Sequence, residues 1–179
     1  MKIICVILAA LGISACSSNN SKFEKLETVQ HVDLNRYTGD WFEIARMDHW
    51  FQEGCYRSQA TYNIRNDGDV EVINRCNVGS ADGKIKEAKG RAWIVDQESN
   101  SKLKVQFPLS SIKLPFLSGD YWIIDLDEDY QFVMVGEETR EYLWILSRYK
   151  TLPEETLAAL VDKASDNGFP VNKLIYQGH

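Results

Sequence analysis

The chain carries few side chains of the types that perform catalysis. Its three histidines, His31, His49 and His179, stand in different segments, and no serine or cysteine nucleophile can be assigned to any of them. Such a nucleophile becomes reactive only with a base within hydrogen-bond reach. The sequence therefore predicts a protein that is not an enzyme and that needs no cofactor.

Acidic side chains are the other candidates for chemistry. Asp125, Asp127 and Asp129 alternate along one segment, a spacing that suggests calcium. The segment lacks the glycine and the distal glutamate of a calcium-binding loop, which favours a solvated turn. No cluster of cysteines and histidines supplies the ligands of another metal site, and we predict none.

The N-terminus resembles a bacterial lipoprotein signal. Lys2 gives a positive start, an apolar run over 3–13 is too short to span a membrane stably, and small residues precede Cys16. The resemblance implies cleavage before Cys16, diacylglycerol on its thiol and acylation, as with palmitate, of its new amino group. Ser17 stands where an aspartate would imply retention in the inner membrane, so the resemblance implies the periplasmic side of the outer membrane. A plain secretory signal with an incidental cysteine is the alternative.

These assignments leave two cysteines to pair. Cys5 leaves with the signal and Cys16 carries lipid, so Cys55 and Cys76 remain in an oxidising compartment. They flank an apparent hairpin whose turn is 66–69. If the ends of that turn pair directly, Cys76 lies four residues out of register with Cys55. A disulfide between them therefore requires a bulge or a strong strand tilt.

The composition fits one folded domain. Removing 15 of 179 residues leaves 164, enough for a substantial core. We assign 1–15 to the lipoprotein signal, 16–29 to the lipidated N-terminus and tether, and 30–179 to the domain. The formal net charge of −6 argues against nucleic acid as a partner, because an acidic chain repels phosphates. The basic residues over 84–91 are interrupted by Glu87, which favours a solvated strand face over a lipid-headgroup contact.

Short alternating segments separated by turn residues run through most of the chain. The alternation is clearest over 102–107, and further strands are predicted up to 142–148. Near the C-terminus, Pro153 and two glutamates begin a helix whose apolar stripe should pack on the outside of the sheet, and a short strand follows over 171–176. The pattern predicts an all-β fold of eight strands with one outer helix.

The segment 37–46 combines a strand entry with a glycine and a tryptophan. After a single helical turn, Gly39 lets the backbone bend into the strand. Strict alternation places Ala45 on the same face as Trp41 and places Arg46 on the opposite face. An indole just after such a bend suits the plug at one end of a barrel, although an ordinary core tryptophan is equally compatible.

Three stretches resemble the lipocalins, in particular the bacterial outer-membrane members related to apolipoprotein D. They are residues 37–46 with Gly39 and Trp41, residues 121–127 with Tyr130, and residues 142–148 ending in Arg148. The second stretch departs from the threonine-aspartate-tyrosine of many lipocalins, since 126–128 read Leu-Asp-Glu. The resemblance implies an eight-stranded antiparallel up-and-down barrel with a C-terminal α-helix packed outside. It also implies a closed end where Arg148 stacks on Trp41.

A barrel of eight strands has room for one small ligand, and its lining follows from strand alternation, with the family's register applied to the last three strands. The predicted ligand-binding residues are aliphatic or aromatic, with isolated hydroxyls, one amide and no formal charge: Ser58, Ala60, Tyr62, Val72, Asn74, Ala92, Leu103, Val105, Phe107, Tyr121, Ile123, Phe132, Met134, Tyr142 and Trp144. Such a lining suits an acyl chain with a modestly polar head. The resemblance implies fatty acids or lysophospholipids. The alternative is that these side chains only fill a core.

The connection over 108–117 is unusually apolar for a loop. It would contact a membrane, a second protomer of a homodimer or an emerging acyl chain, or fold back over the barrel. Residues 49–51 would form the other side of the mouth. Two functions follow: a membrane-anchored lipocalin that stores or transports fatty acids or lysophospholipids at the outer membrane in envelope maintenance or stress, and a scaffold whose apolar mouth loops bind a protein partner.

Overall fold

Antiparallel strands make up most of the chain. The computed structural model describes residues 24–108 and 112–178, so the predicted signal and the lipidation at Cys16 lie outside the described residues. The strands are β1 (Gly39–Met47), β2 (Cys55–Ile64), β3 (Val70–Val78), β4 (Ile85–Ile94), β5 (Lys102–Gln106), β6 (Gly119–Leu126), β7 (Phe132–Gly136), β8 (Leu143–Ser147) and β9 (Leu174–Tyr176). The α-helices are α1 (Leu34–Tyr37) and α2 (Glu154–Asp166), with 3₁₀ turns at Trp50–Gln52, Pro115–Leu117 and Val171–Lys173. None of these helices is long and apolar enough to cross a membrane.

The sheet closes because β1 pairs on both of its edges. Each strand from β2 to β8 pairs with its neighbour in sequence, and β1 joins β8 back to β2. The short strand β9 extends the pairing at the C-terminal end of β1, where Met47 faces Leu174. The predicted eight-stranded barrel with a short final strand and a C-terminal helix is confirmed.

Apolar side chains form two separate layers. The inner layer fills the barrel and includes Trp41 and Ile123. The outer layer lies between the barrel and α2, where Leu160 packs with Met134 and Ile145. As the sequence predicts, the helix begins after a proline and carries two glutamates in its first turn. It is followed by Gly168 in the left-handed region.

A bulge in β1 changes which side chains face inward. The register with β8 shifts between Glu43 and Ala45, so Ile44 is an extra residue. Ile44 and Ala45 therefore both lie in the outer layer, and Arg46 turns inward, opposite Trp144 of β8. The alternation predicted from the sequence places Ile44 correctly but is wrong from Ala45 onward, where it puts Ala45 inside and Arg46 outside.

Trp41 and Arg148 meet at the closed end of the barrel. The guanidinium carbon of Arg148 lies 3.9 Å from the centre of a Trp41 ring. Its nitrogens donate to the carbonyl oxygens of Arg36 at 2.8 Å and Asp40 at 2.9 Å. Gly39 has a φ of +92°, and a Cβ there would lie 3.3 Å from Nη1 of Arg148. This is the cation–π arrangement that the family resemblance implies.

Cys55 and Cys76 form a disulfide between β2 and β3. Their Cα atoms are 5.4 Å apart. The register between the two strands shifts between Tyr56 and Gln59, and Arg57 in this bulge has a φ of +50°. The bulge reduces the offset between the cysteines, so the disulfide predicted to depend on such an irregularity is confirmed.

The residues just before the barrel also pack against it. Leu26 is buried in the outer layer. The backbone N–H of Val29 donates to the carbonyl oxygen of Ile123 at 3.0 Å, and the hydroxyls of Thr28 and Ser101 are 2.8 Å apart. The described part of the segment assigned to the tether, residues 24–29, therefore lies against the barrel.

Candidate functional site

The barrel interior contains most of the residues predicted to line a ligand site. Those on its inward face are Ser58, Ala60, Tyr62, Val72, Ala92, Leu103, Val105, Tyr121, Ile123 and Trp144. Tyr142 lies at the mouth with its ring stacked 6.1 Å from that of Trp144, and Asn74 is exposed. Phe107 covers Gly90, where an added Cβ would lie 2.6 Å from the Phe107 ring.

Two of the predicted lining residues face the other way. Phe132 and Met134 pack in the outer layer beneath α2, whereas Val133 and Val135 face the interior. Both faces of β7 are apolar, because one meets the barrel core and the other meets the helix, so alternation cannot distinguish them. The prediction that Phe132 and Met134 face the barrel interior is therefore wrong.

A small apolar cavity lies in the closed half of the barrel. It has a volume of about 20 Å³ and is lined by Leu34, Tyr37, Tyr62, Val70, Val72, Ala92, Leu103, Tyr121 and Ile123. The hydroxyl of Tyr121 lies 2.7 Å from that of Tyr37 and 2.9 Å from that of Tyr62, and burial raises the pKa of all three phenols. Sites for small molecules measure roughly 300–1,000 Å³. An acyl ligand therefore requires side chains nearer the mouth to move.

A buried pair of opposite charges lies inside the barrel, contrary to the prediction of an uncharged lining. Glu43 and Arg46 are each 3% exposed, and Nε of Arg46 lies 3.6 Å from Oε1 of Glu43. Burial raises the pKa of the Glu43 carboxyl, while a hydrogen bond from Gln52 and the charge of Arg46 oppose that rise. This pair could not be predicted from the sequence. The bulge at Ile44 turns Arg46 inward, and the alternation of polar and apolar residues gives no sign of that bulge.

Gln52, from the first loop, occupies the centre of this polar cluster. Its amide nitrogen donates to Glu43 at 2.8 Å and to Ser58 at 3.3 Å. Its amide oxygen accepts from the indole nitrogen of Trp144 at 3.0 Å, and its backbone oxygen accepts from Nη2 of Arg46 at 3.2 Å. One inserted side chain thus links β1, β2 and β8 at the mouth of the barrel.

His49 lies beside this cluster among aromatic rings. It is buried, its ring is stacked 3.8 Å from that of Phe51, and it lies 5.2 Å from the ring of Trp144. Burial, with the nearby charge of Arg46, lowers the pKa of His49 to about 4. The imidazole is therefore neutral near pH 7. The neighbouring Trp50 is 81% exposed, so the same loop presents one ring to the barrel and another to solvent.

The connection after β5 folds back against the outside of the barrel in the part that the structure describes, residues 112–118. The Lys113 ammonium donates to Asp69 at 2.9 Å, and the backbone N–H of Leu114 donates to the side-chain oxygen of Gln106 at 2.7 Å. Phe116 nevertheless remains 79% exposed. The backbone of this connection therefore folds back against the barrel, which is one of the interpretations that the sequence left open. The side chains of Phe116 and Leu117 remain exposed.

The acidic triplet forms a turn and an ion pair. Asp127 accepts the backbone N–H groups of Asp129 and Gln131, each at 3.1 Å, and Asp125 accepts from Lys163 at 2.6 Å. Within residues 24–108 and 112–178, no three side chains of histidine, cysteine, aspartate or glutamate are grouped as metal ligands would be. His179 lies outside the described residues.

Comparisons with known proteins agree with this architecture. The sequence profile of the lipocalin-like domain matches residues 32–179. The outer membrane lipoprotein Blc of Vibrio cholerae serotype O1 is 36% identical over 177 residues, which cover 98% of each chain. Temperature-induced lipocalin-1 of Arabidopsis thaliana is 37% identical over 155 residues, which cover 84% of this chain and 81% of the relative. The structure of insecticyanin from the tobacco hornworm Manduca sexta has a TM-score of 0.66 at 17% identity and covers 86% of this chain and 84% of its own. The chain therefore belongs to the lipocalin family.

Proposed function

We propose that this lipocalin is a membrane-anchored carrier that stores or transports fatty acids or lysophospholipids on the periplasmic side of the outer membrane, in envelope maintenance or stress. The observation that carries the proposal is the barrel itself, which is closed at one end, apolar within and ringed by aromatic side chains at its mouth. The name of the Vibrio cholerae relative, an outer membrane lipoprotein, supports the location. The lipoprotein-like N-terminus supports the anchor.

The chemistry of the interior favours an acyl chain. Below the polar cluster, the inward side chains are aliphatic or aromatic, and the buried phenols of Tyr37 and Tyr62 each hydrogen-bond to that of Tyr121. Burial of an alkyl chain contributes about 0.8 kcal/mol for each methylene removed from water. Because Trp41 and Arg148 close the far end, such a chain would enter from the mouth and keep its head there.

Room for the chain would come from the sector of β4 and β5 near the mouth. Gly90 of β4 carries no side chain, and the ring that covers it belongs to Phe107, which is itself partly exposed. A rotation of Phe107 away from Gly90 would therefore enlarge the interior without breaking a hydrogen bond of its side chain. Gln52 is the second group that would have to move, since it fills the opposite side of the mouth.

Calorimetric titration tests the carrier function. The probe ligands are oleic acid and 1-oleoyl-lysophosphatidylethanolamine, added to the delipidated Cys16→Ser chain. We expect one of them to bind with micromolar or better affinity, and we expect Trp144→Arg to weaken that binding by about tenfold or more, because a long charged side chain would fill the mouth.

Tyr149→Arg is the matched control, since it places the same side chain at an exposed position outside the barrel. Near-ultraviolet circular dichroism would show whether both variants are folded. If neither lipid binds the folded Cys16→Ser chain, the carrier function is excluded.

The exposed apolar side chains of the described loop support a second candidate, a scaffold that binds a protein partner. Phe116 and Leu117 are largely exposed and make no contribution to either apolar layer. If a partner or a second copy of the chain binds there, its binding should be retained in Trp144→Arg and lost in Phe116→Ser/Leu117→Ser. Co-purification and light scattering of the two variants distinguish this function from lipid carriage.

A further inference from the structure

Arg46 is buried without its hydrogen-bonding capacity being met. Its Nε and Nη1 atoms donate no hydrogen bond to any described residue, and only Nη2 has an acceptor, the backbone oxygen of Gln52. The nearest carboxylate oxygen, on Glu43, is 3.6 Å from Nε, too far for a hydrogen bond. Beside it, neither ring nitrogen of His49 has a partner in the described chain.

Such an arrangement is costly unless something else completes it. A buried donor left unpaired costs about 1–3 kcal/mol, and more when the group is charged. The unmet atoms are mainly donors, because the guanidinium can only donate and the neutral imidazole has one donor and one acceptor. What Nε and Nη1 of Arg46 lack is therefore an acceptor within hydrogen-bond distance, and a carboxylate or phosphate oxygen is the strongest acceptor for a guanidinium fork.

We propose that Arg46 is the head-group site of the barrel and binds the oxyanion, carboxylate or phosphate, of an acyl ligand. The inference rests on the proposed carrier function and deepens it. Gln52 fills the site when no ligand is bound, because its backbone oxygen is the hydrogen-bond acceptor for Arg46 and its side chain covers Glu43. The ligand would displace Gln52 and supply oxygens to Nε and Nη1, and His49 would lie beside the head.

The position of Arg46 along β1 fits this role. It lies five residues from Trp41 at the closed end, which corresponds to about 15 Å along a strand. A head held at Arg46 would leave the chain pointing toward the apolar cavity lined by Tyr62 and Leu103. Arg46 also lies opposite Trp144, whose indole would cover the first part of the chain.

The neighbouring Glu43 limits the strength of the effect. Since an ionised Glu43 carboxylate would cancel the charge of Arg46, the site would select an oxyanion through directed hydrogen bonds and not through a large positive potential. Charge-assisted hydrogen bonds of this kind correspond to about 10- to 100-fold in affinity. The prediction is therefore a preference for an acid over the matched alcohol, and not an absolute requirement for charge.

The experiment compares oleic acid with oleyl alcohol by calorimetric titration of the Cys16→Ser chain. We expect oleic acid to bind about 10- to 100-fold more tightly and the ratio to fall toward one in Arg46→Met. Oleoyl-lysophosphatidic acid and monoolein form a second pair, which shows whether a phosphate is held in the same way. Arg75→Met, an arginine on the outer face of β3 that pairs with Glu87, is the matched control and should keep the wild-type ratio.

A second variant guards against loss of folding. Arg46→Met alone leaves the buried Glu43 carboxylate without its cation, so Glu43→Gln/Arg46→Met, which removes both charges, is measured as well. If the alcohols bind as tightly as the acids, or if the folded variants keep the preference, the head-group site is wrong while the carrier function stands. If none of these four probes binds the folded Cys16→Ser chain, and 1-oleoyl-lysophosphatidylethanolamine does not bind it either, both proposals are wrong.

Discussion

Gln52 connects the first loop to three strands at the mouth of the barrel. Its side chain bonds to Glu43, Ser58 and Trp144, and its backbone accepts from Arg46. These contacts hold the first loop over the charged pair of Glu43 and Arg46. An opening of this loop would expose both charges together, which couples access to the barrel with hydration of the cluster.

His49 makes that closure sensitive to acid. Its pKa is lowered to about 4 by burial and by Arg46, whereas a free histidine titrates near 6.5. The open loop therefore binds more protons than the closed loop between these values. The stability that His49 gives to the closed loop is complete above about pH 6.5 and is lost as the pH falls toward 4. We expect amide exchange of residues 49–54 to accelerate over this interval, measured by mass spectrometry.

His49→Phe provides the control, because it keeps a ring against Phe51 and removes the titration. Glu43 acts in the opposite direction. The pKa of its carboxyl is raised by burial, so its contribution to the closed form is greatest at low pH and is lost as the pH rises through its folded pKa. An acceleration that persists unchanged in His49→Phe would show that the titration of His49 is not the cause of the acid sensitivity.

Helix α2 is attached to the barrel through its buried stripe. Leu160 and Ala164 are fully or nearly fully buried against the outer face of β7 and β8. Leu160→Ala should therefore reduce the free energy of unfolding by about 2–4 kcal/mol through lost burial and a cavity. Urea unfolding followed by circular dichroism measures this change.

Ile85→Ala is the comparison for that measurement. It also shortens an aliphatic side chain, but at an exposed position of β4, and should change stability by less than about 0.5 kcal/mol. If Leu160→Ala changes the free energy of unfolding as little as Ile85→Ala does, α2 does not contribute to the cooperative unfolding of the barrel.

The elements that were predictable from sequence are those with one face in water. In the hairpin of β2 and β3, the inward residues can be recognised from the sequence because polar side chains alternate with them on the outer face. In β7 the helix buries the outer face, so Met134 and Val135 look alike in sequence although they face opposite ways. The bulge at Ile44 is invisible for a different reason. It depends on pairing with β8, a partner about a hundred residues distant in the chain.

At the scale of the molecule, the barrel has two chemically different ends. The closed end is sealed by α1 and Arg148, whereas the mouth carries exposed Trp50 and Ile85 and the half-buried Tyr142. A net charge of −6 disfavours adsorption to anionic membranes through general electrostatics. Association with a bilayer would therefore depend on the lipid anchor that we propose at Cys16, with the apolar mouth contributing once the protein is held near the surface.

The anchor is tested by substituting the two cysteines of the N-terminal segment separately. Cys16→Ser should abolish incorporation of labelled palmitate and move the protein from the outer-membrane fraction to the soluble fraction, because the thiol that receives the diacylglycerol is gone. Cys5→Ser is the matched control, since Cys5 lies inside the apolar run and should be removed with the signal. Label retained in Cys16→Ser, or lost only in Cys5→Ser, would show that the protein is not a lipoprotein modified at Cys16. Stable anchoring by two or more acyl chains would keep the barrel next to the membrane lipids that we propose as its ligands.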